Sequence, residues 1–269
     1  MKSPPLPLEE AQARLLALAA PLAVEQVAPE AALGRYLAES LTARRTQPAA
    51  AQSAMDGYAV AAGDLAGPWQ VIGESAAGHP YAGSAAPGKA VRISTGALLP
   101  NGAAAVVLQE DITRQGDGIT LTGEAPEPPH KHIRPEGLDF RAGHLLLPVG
   151  TRIGPAQLAL ALTAGHSQIG VRRLPRLAVI DSGDELIAGG SDCAPHQIPA
   201  SNGAMLAALA AQVPCQVERL GPVADTMEAI AAVLARADGA DLIVTSGGAS
   251  VGDHDLIRPR TRDPVLGYG

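Results

Sequence analysis

The sequence predicts a multidomain α/β protein, with helical segments around a β-rich lobe and a doubly wound α/β domain after it. Three observations carry that prediction. Stretches rich in Ala and Leu at 8–20, 31–42 and 154–165 read as helices. Between them, 47–142 changes texture to short apolar runs separated by Gly- and Pro-bearing turns, as in a compact β-rich lobe. After Pro175 the order becomes β-α-β-α-β, which implies a parallel sheet with its ligand crevice at the carboxyl ends of the strands.

Each element has its own local reason. Pro21 and Pro29 separate the first two helices. In the lobe, the runs 69–73, 90–94, 106–109 and 119–121 read as strands, and 124–135, with four prolines and two histidines, as an extended connection. Pro155 near its start and Gly165 at its stop bound the helix 154–165. The unbroken apolar run 177–180 suits a strand buried on both faces. Asn202 can cap a helix through about 212, and 216–220 is a second strand. Asp225 and Glu228 form a D-x-x-E capping box, and Met227, Ile230, Ala231 and Leu234 then share one helical face. The run 242–245 is a third buried strand, and the chain has no internal repeats.

Composition excludes several classes of function. The chain has 269 residues, 46% of them apolar, enough for a packed core. Lys+Arg 20 against Asp+Glu 27 gives −7, the wrong sign for a nucleic-acid partner, and 2% aromatics leave no base-stacking platform. The first residues lack the basic start and apolar run of a secretory signal. No window of 18 uninterrupted apolar residues exists; the best candidate, 154–164, is short and holds Gln157. Cys193 and Cys215 have no CxxC spacing. The expectation is a soluble cytoplasmic protein without a membrane partner. His130 and His132 lack a third nearby ligand, so their segment reads as a solvated loop.

The chemistry-bearing residues gather at strand ends. The first strand of the α/β domain runs into Asp181-Ser182-Gly183-Asp184-Glu185-Leu186, the third into Thr245-Ser246-Gly247-Gly248-Ala249-Ser250-Val251-Gly252-Asp253-His254-Asp255. Both loops lie on the sheet edge where open α/β folds bind ligands. Gly247, Gly248 and Gly252 let backbone N–H groups approach a phosphate, and Ser246 and Ser250 add hydroxyls. Glu185, Asp253 and Asp255 are hard oxygen ligands suited to Mg²⁺ shared with substrate phosphates. The competing reading is a pair of tight turns with Asp as a helix cap. There is no G-x-G-x-x-G and no GK[ST], which leaves dinucleotide and P-loop chemistry without a motif.

Six ordered motifs, spanning about Leu8 to Pro259, carry a resemblance. They are Ser53-Ala54-Met55-Asp56-Gly57-Tyr58-Ala59-Val60; Ile93-Ser94-Thr95-Gly96-Ala97 with Leu99-Pro100; Val106-Val107-Leu108-Gln109-Glu110; Ser182-Gly183-Asp184-Glu185-Leu186; Ser201-Asn202; and the loop from Ser246 to Asp253. In this order the sequence resembles the molybdopterin molybdenumtransferases, the MoeA-type enzymes whose animal counterpart is the E domain of gephyrin. The resemblance implies an elongated helical segment (1–46 and 143–174) with the β-rich lobe (47–142) inserted, then a molybdopterin-binding α/β domain (175–269) and a C-terminal β-barrel. It implies insertion of molybdate into adenylylated molybdopterin, with Mg²⁺ and release of AMP, by a homodimer in which the lobe of one subunit faces the α/β domain of the other. Carried over by motif, the catalytic residues would be Asp56, Thr95, Asp139, Glu185, Asp225 and Asp253. Glu185 and Asp253 would orient metal or substrate; Ser246, Gly247, Gly248, Ser250 and Gly252 would bind the pterin phosphate; Thr95 would donate to molybdate. Asp225 has a rival role as helix cap, and Asp56 as a turn residue before Gly57.

Several positions depart from the family pattern. Ala49, Ala50, Ala51 and Gln52 replace acidic and aromatic members, Ala104 stands for an Asp, Leu138 for a Glu, and Asp181-Ser182 for Ser-Thr. After Ile257-Arg258-Pro259 the resemblance stops, and 260–269 has no helical face. That end reads as a frameshift or premature stop, leaving the α/β domain incomplete and the barrel missing. The expectation is a chain of poor solubility with little or no molybdenum insertion. The alternatives are a non-catalytic binding module for molybdopterin or nucleotide phosphates, and a structural dimerisation protein.

Overall fold

A computed structural model describes residues 6–189 and 192–247. They form two compact units, one built from 6–39, 149–155, 168–189 and 192–247, the other from 40–148 and 156–167.

The second unit is organised by a six-stranded sheet in the order Ala103–Leu108, Gly57–Ala61, Lys89–Ile93, Trp69–Ser75, Gly118–Leu121, Ile112–Gln115. Trp69–Ser75 runs parallel to Lys89–Ile93, and the other pairs are antiparallel. Gly57–Ala61 is buried at every position because the sheet carries an apolar layer on each face. Tyr58 and Val60 pack with Trp69, Ala90, Val107 and Ile119 on one side; Ala59 packs with Val91, Ile93, Ala97 and Val106 on the other. Gly57 pairs with both Ile93 and Leu108, and a Cβ there would collide with the Val107 carbonyl oxygen. Two short ribbons, Leu41–Thr42 with Leu145–Leu147 and Gln52–Ser53 with Ile133–Arg134, complete the strand pairing of this unit. The helix Pro155–Thr163 stops as expected at Gly165, whose φ is +92° and whose N–H reaches the Leu162 carbonyl.

In the first unit, Arg176–Ser182, Gln216–Val223 and Leu242–Ser246 form a parallel sheet with Arg176–Ser182 in the middle. The helix Asn202–Ala210 connects the first strand to the second, and Met227–Arg236 crosses back to the third. The chain thus reverses its direction of travel between the first and third strands, which is the doubly wound arrangement and fixes the ligand-binding edge. Ala178, Ile180 and Leu220 are buried against Val233 and Ala237 of the second helix. An Arg173–Asp241 pair ties the starts of the middle strand and Leu242–Ser246, with guanidinium-to-carboxylate distances of 2.6 and 2.5 Å and a 2.8 Å bond from the Arg176 N–H to the same carboxylate. Among the described residues no helix is long and apolar enough to cross a membrane.

The segment 31–42, expected as a helix, is instead a 3-10 turn at Pro29–Ala32 followed by extended chain and the strand Leu41–Thr42. Ala and Leu propensity is overridden there by pairing. Gly34 N–H reaches Ile153, Leu37 reaches Thr151 and Ala38 reaches Gly170, so donors a helix would keep internal go to other segments. The first helix ends at Leu18 rather than 20, and Val24–Val27, between the two expected helices, pairs antiparallel with Ile169–Arg172.

Two stability measurements follow. Gly57→Ala is expected to lower stability by about 1–3 kcal/mol in urea unfolding, because the methyl has no space between paired strands. Arg173 first, and then the Arg176 N–H, holds the Asp241 carboxyl down at about 2. Its contribution is complete above the ordinary value of 3.8 and is lost as pH falls toward about 2. Asp241→Asn should therefore cost about 1–2 kcal/mol at pH 7 and close to nothing at pH 2.

Candidate functional site

The lobe places Asp56 and Thr95 in direct contact. Asp56 immediately precedes the strand Gly57–Ala61, and Thr95 lies just past Lys89–Ile93; because Gly57 faces Ile93, the two residues emerge at one sheet edge. Asp56 Oδ1 accepts the Thr95 N–H at 2.6 Å and its hydroxyl at 3.0 Å. Ser53 locks both loops: its Oγ donates to the Met55 carbonyl at 2.6 Å, its N–H goes to Ala97, and its carbonyl accepts from Gly96. The Thr95 N–H, then its hydroxyl, and more weakly the Arg92 guanidinium hold the Asp56 carboxyl below the usual range. Both Thr95 donors serve Asp56, so the carboxylate is held with Oδ1 engaged.

Arg92 escaped the sequence reading, and Tyr58 and Gln109 were named there only within motifs. Arg92 lies 5.6 Å from the Tyr58 ring centroid and donates to Gln109 Oε1 at 3.1 Å, while the Gln109 N–H reaches the Asp56 carbonyl at 3.3 Å. These residues close a ring behind Asp56, with a cation–π contact holding the guanidinium. The signal available in sequence was only that Arg92 and Gln109 flank Thr95 and Leu108 at strand ends. Asp139 is engaged differently. Both of its oxygens lie 3.2 Å from one Arg134 nitrogen, so its carboxylate pairs with Arg134 rather than with Asp56 or Thr95.

The second cluster sits on the carboxyl edge of the parallel sheet. Asp181 faces Ser246 in register, bringing the loops after the first and third strands side by side. Asn202 Nδ2 donates to Ser246 Oγ at 2.9 Å, so Asn202 is the first helical residue and a bridge, not the cap anticipated. Gly247 has φ +99°, and a Cβ there would lie 2.5 Å from the Ser182 carbonyl oxygen. Glu185 is exposed and folds over Gly183. Asp184 Oδ1 accepts the Asp225 N–H at 3.0 Å. The cap of the following helix is Thr226, whose Oγ1 accepts from the Ala229 N–H at 3.2 Å; this corrects the capping box assigned to Asp225 and Glu228. Thr226 takes that role because it keeps extended backbone one residue before the first helical turn. Asp181 and Ser182 are both buried, and Asp181 Oδ1 and Ser182 Oγ have no hydrogen-bond partner. Gly248, Ser250, Gly252 and Asp253 lie outside the described residues. Among the described residues no group of three or more His, Cys, Asp or Glu is placed to hold a metal ion.

Two family models match nearly the whole length. Residues 6–165 match the MoeA N-terminal region (domain I and II), and 178–265 match a probable molybdopterin binding domain. The chain belongs to the MoeA family. Among curated proteins, it is 34% identical to a molybdopterin molybdenumtransferase of Haemophilus influenzae over 94% of this chain and 63% of that protein. A Bacillus subtilis molybdopterin molybdenumtransferase is also 34% identical, over 95% of this chain and 62% of that protein. The chain therefore spans less than two thirds of the length of these relatives. Among solved structures, a molybdopterin biosynthesis MoeA protein of Pyrococcus horikoshii superposes with TM-score 0.77 at 32% identity, covering 94% of this chain and 65% of that one. A second MoeA structure from that organism gives TM-score 0.80 at 29% identity, over 90% of this chain and 66% of that one. The MoeA N-terminal match spans the Asp56–Thr95 cluster, and the probable molybdopterin binding domain match spans the cluster at Asp181 and Ser246.

The Asp56–Thr95 pair yields a direct test. Thr95→Ala, which removes the hydroxyl but keeps the N–H, should raise the Asp56 carboxyl part of the way toward its ordinary value of 3.8 in a carbon-detected NMR titration. Thr95→Ser, which keeps both donors, should leave the titration unchanged.

Proposed function

We propose that this chain acts in molybdenum cofactor biosynthesis, inserting molybdate into adenylylated molybdopterin with release of AMP in a Mg²⁺-dependent reaction. The observation that carries the proposal is the carboxyl edge of the parallel sheet. There the Asn202–Ser246 and Asp184–Asp225 bonds draw four chain segments together at the reversal of strand order. Open α/β sheets bind phosphorylated ligands at that place, and the names of the relatives support the choice of ligand.

In this reading the 246–252 loop offers backbone N–H groups to the phosphate, and Glu185 and Asp253 hold the metal and orient the substrate. The fit with Mg²⁺ rests on donor chemistry: Glu185 is an exposed carboxylate beside Asp184, and Mg²⁺ is commonly held by one or two carboxylates together with substrate phosphates and water. When bound, Mg²⁺ would polarise the phosphoanhydride as a Lewis acid. Asp56, kept ionised by Thr95, would accept hydrogen bonds from substrate donors, and Asp139 and Asp225 would orient the segments that carry them. The working division is 1–46 with 143–174, 47–142, and 175–269, and the working assembly is a homodimer with a composite site.

The test is AMP release, followed chromatographically, from adenylylated molybdopterin supplied with molybdate and Mg²⁺. Release that EDTA abolishes and that Glu185→Gln lowers tenfold or more would support the transferase reading and overturn the expectation, drawn from the sequence, of little or no insertion by this chain. Pterin binding without AMP release would sink the transferase reading and leave a non-catalytic binding module.

A further inference from the structure

The amino ends of the parallel strands border a cavity that the reaction outlined above does not use. Leu174 lies just before the strand Arg176–Ser182 and Val213 just before Gln216–Val223, at the end of the sheet opposite Ser246. With Leu22 and Tyr36 they wall a space of about 350 Å³, large enough for a small molecule. Two guanidinium groups stand in the same wall. Arg35 is 8% exposed and firmly held: its Nε and Nη2 donate to the Arg172 carbonyl at 3.0 and 2.9 Å, and Nη2 also pairs with Glu25. That leaves Nη1 without a hydrogen-bond partner among the described residues. Arg172 is half-buried and spends only Nη1, on the Leu22 carbonyl at 2.8 Å. Glu25 pairs with Arg35 and Asp241 with Arg173, but no carboxylate among the described residues pairs with Arg172. The cavity thus combines apolar walls, an aromatic ring and an uncompensated cation, in a chain whose net charge is −7.

We infer that this cavity is a binding site for a small carboxylate with an aromatic body. The carboxylate pairs with the free donors of Arg172 and Arg35, and the body covers Leu22, Tyr36, Leu174 and Val213. A guanidinium matches the planar carboxylate with parallel N–H donors, and partial exclusion of water strengthens the attraction. The apolar walls gain from burying the body and disfavour a strongly hydrated oxyanion such as phosphate. This site is independent of the molybdopterin reading and stands or falls without it.

NMR titration of the whole chain with benzoate tests the assignment, with benzamide and acetate as controls for the charge and for the ring. Benzoate should saturate, with shifts centred on Tyr36 and Val213, and each control should bind at least about tenfold more weakly, the scale of one charge-assisted hydrogen bond or one buried ring. Arg172→Gln removes the cation, and Val213→Trp fills the cavity from an exposed position; each should weaken benzoate by about tenfold or more. Circular dichroism matched to wild type identifies the folded variants, and Val213→Trp keeps the test decisive if Arg172→Gln fails to fold. Benzoate that does not saturate, that either control matches, or that a folded variant still binds as wild type does overturns the proposal.

Discussion

Asp181 pairs with Ser246 across the first and third parallel strands, and this register decides which side chains can meet at the sheet edge. The strand Arg176–Ser182 is buried from Ala178 to Ser182 and hydrogen-bonded to a neighbour on each side. A slip of one residue would turn Ile180 and Ala178 out of their layers and move Ser182 away from Gly247. The Arg173–Asp241 pair guards the register at the opposite end by tying the residues just before the first and third strands. Site geometry and sheet stability are consequences of the same pairing.

The lobe follows the same logic with a different device. Gly57 permits close approach to the Ala103–Leu108 strand, and this holds Gly57–Ala61 between two partners at once. With the strand so fixed, Asp56 has one direction available, and Thr95 meets it with two donors. The carboxylate is exposed yet ordered. Strand pairing, rather than burial, does the positioning.

The motif reading named residues of both clusters but not their wiring. Asp56 and Thr95 were legible as separate candidates because each lies in a distinctive run, but their mutual hydrogen bonds depend on a register that no local pattern encodes. Asn202 and Asp225 were each given a cap role by local rules. In the folded chain Ser246 claims Asn202, and Thr226 caps the helix instead of Asp225. Caps are chosen by backbone conformation at one residue, which neighbouring polar residues leave ambiguous. The failed helix at 31–42 has the same origin: its composition favours a helix by tenths of a kcal/mol per residue, while pairing with 150–153 and 170 consumes its backbone donors.

The order of strands and helices after Pro175, the buried run 177–180, the helix stop at Gly165 and the family were all determined by the sequence, because each rests on residue spacing or on a contiguous motif; the run 242–245, expected to be buried, instead leaves Leu242 and Ile243 exposed. Only the tertiary structure decided that Asp56 and Thr95 form one unit, that Arg92 stands behind them, and that Asp181 lies against the start of the helix Asn202–Ala210 with Oδ1 lacking a hydrogen-bond partner. These are contacts between residues 20 to 40 positions apart, such as Asp56 with Thr95 and Asp181 with Gly203. Their energy comes from strand register and packing, which act across the chain and leave no trace in local periodicity.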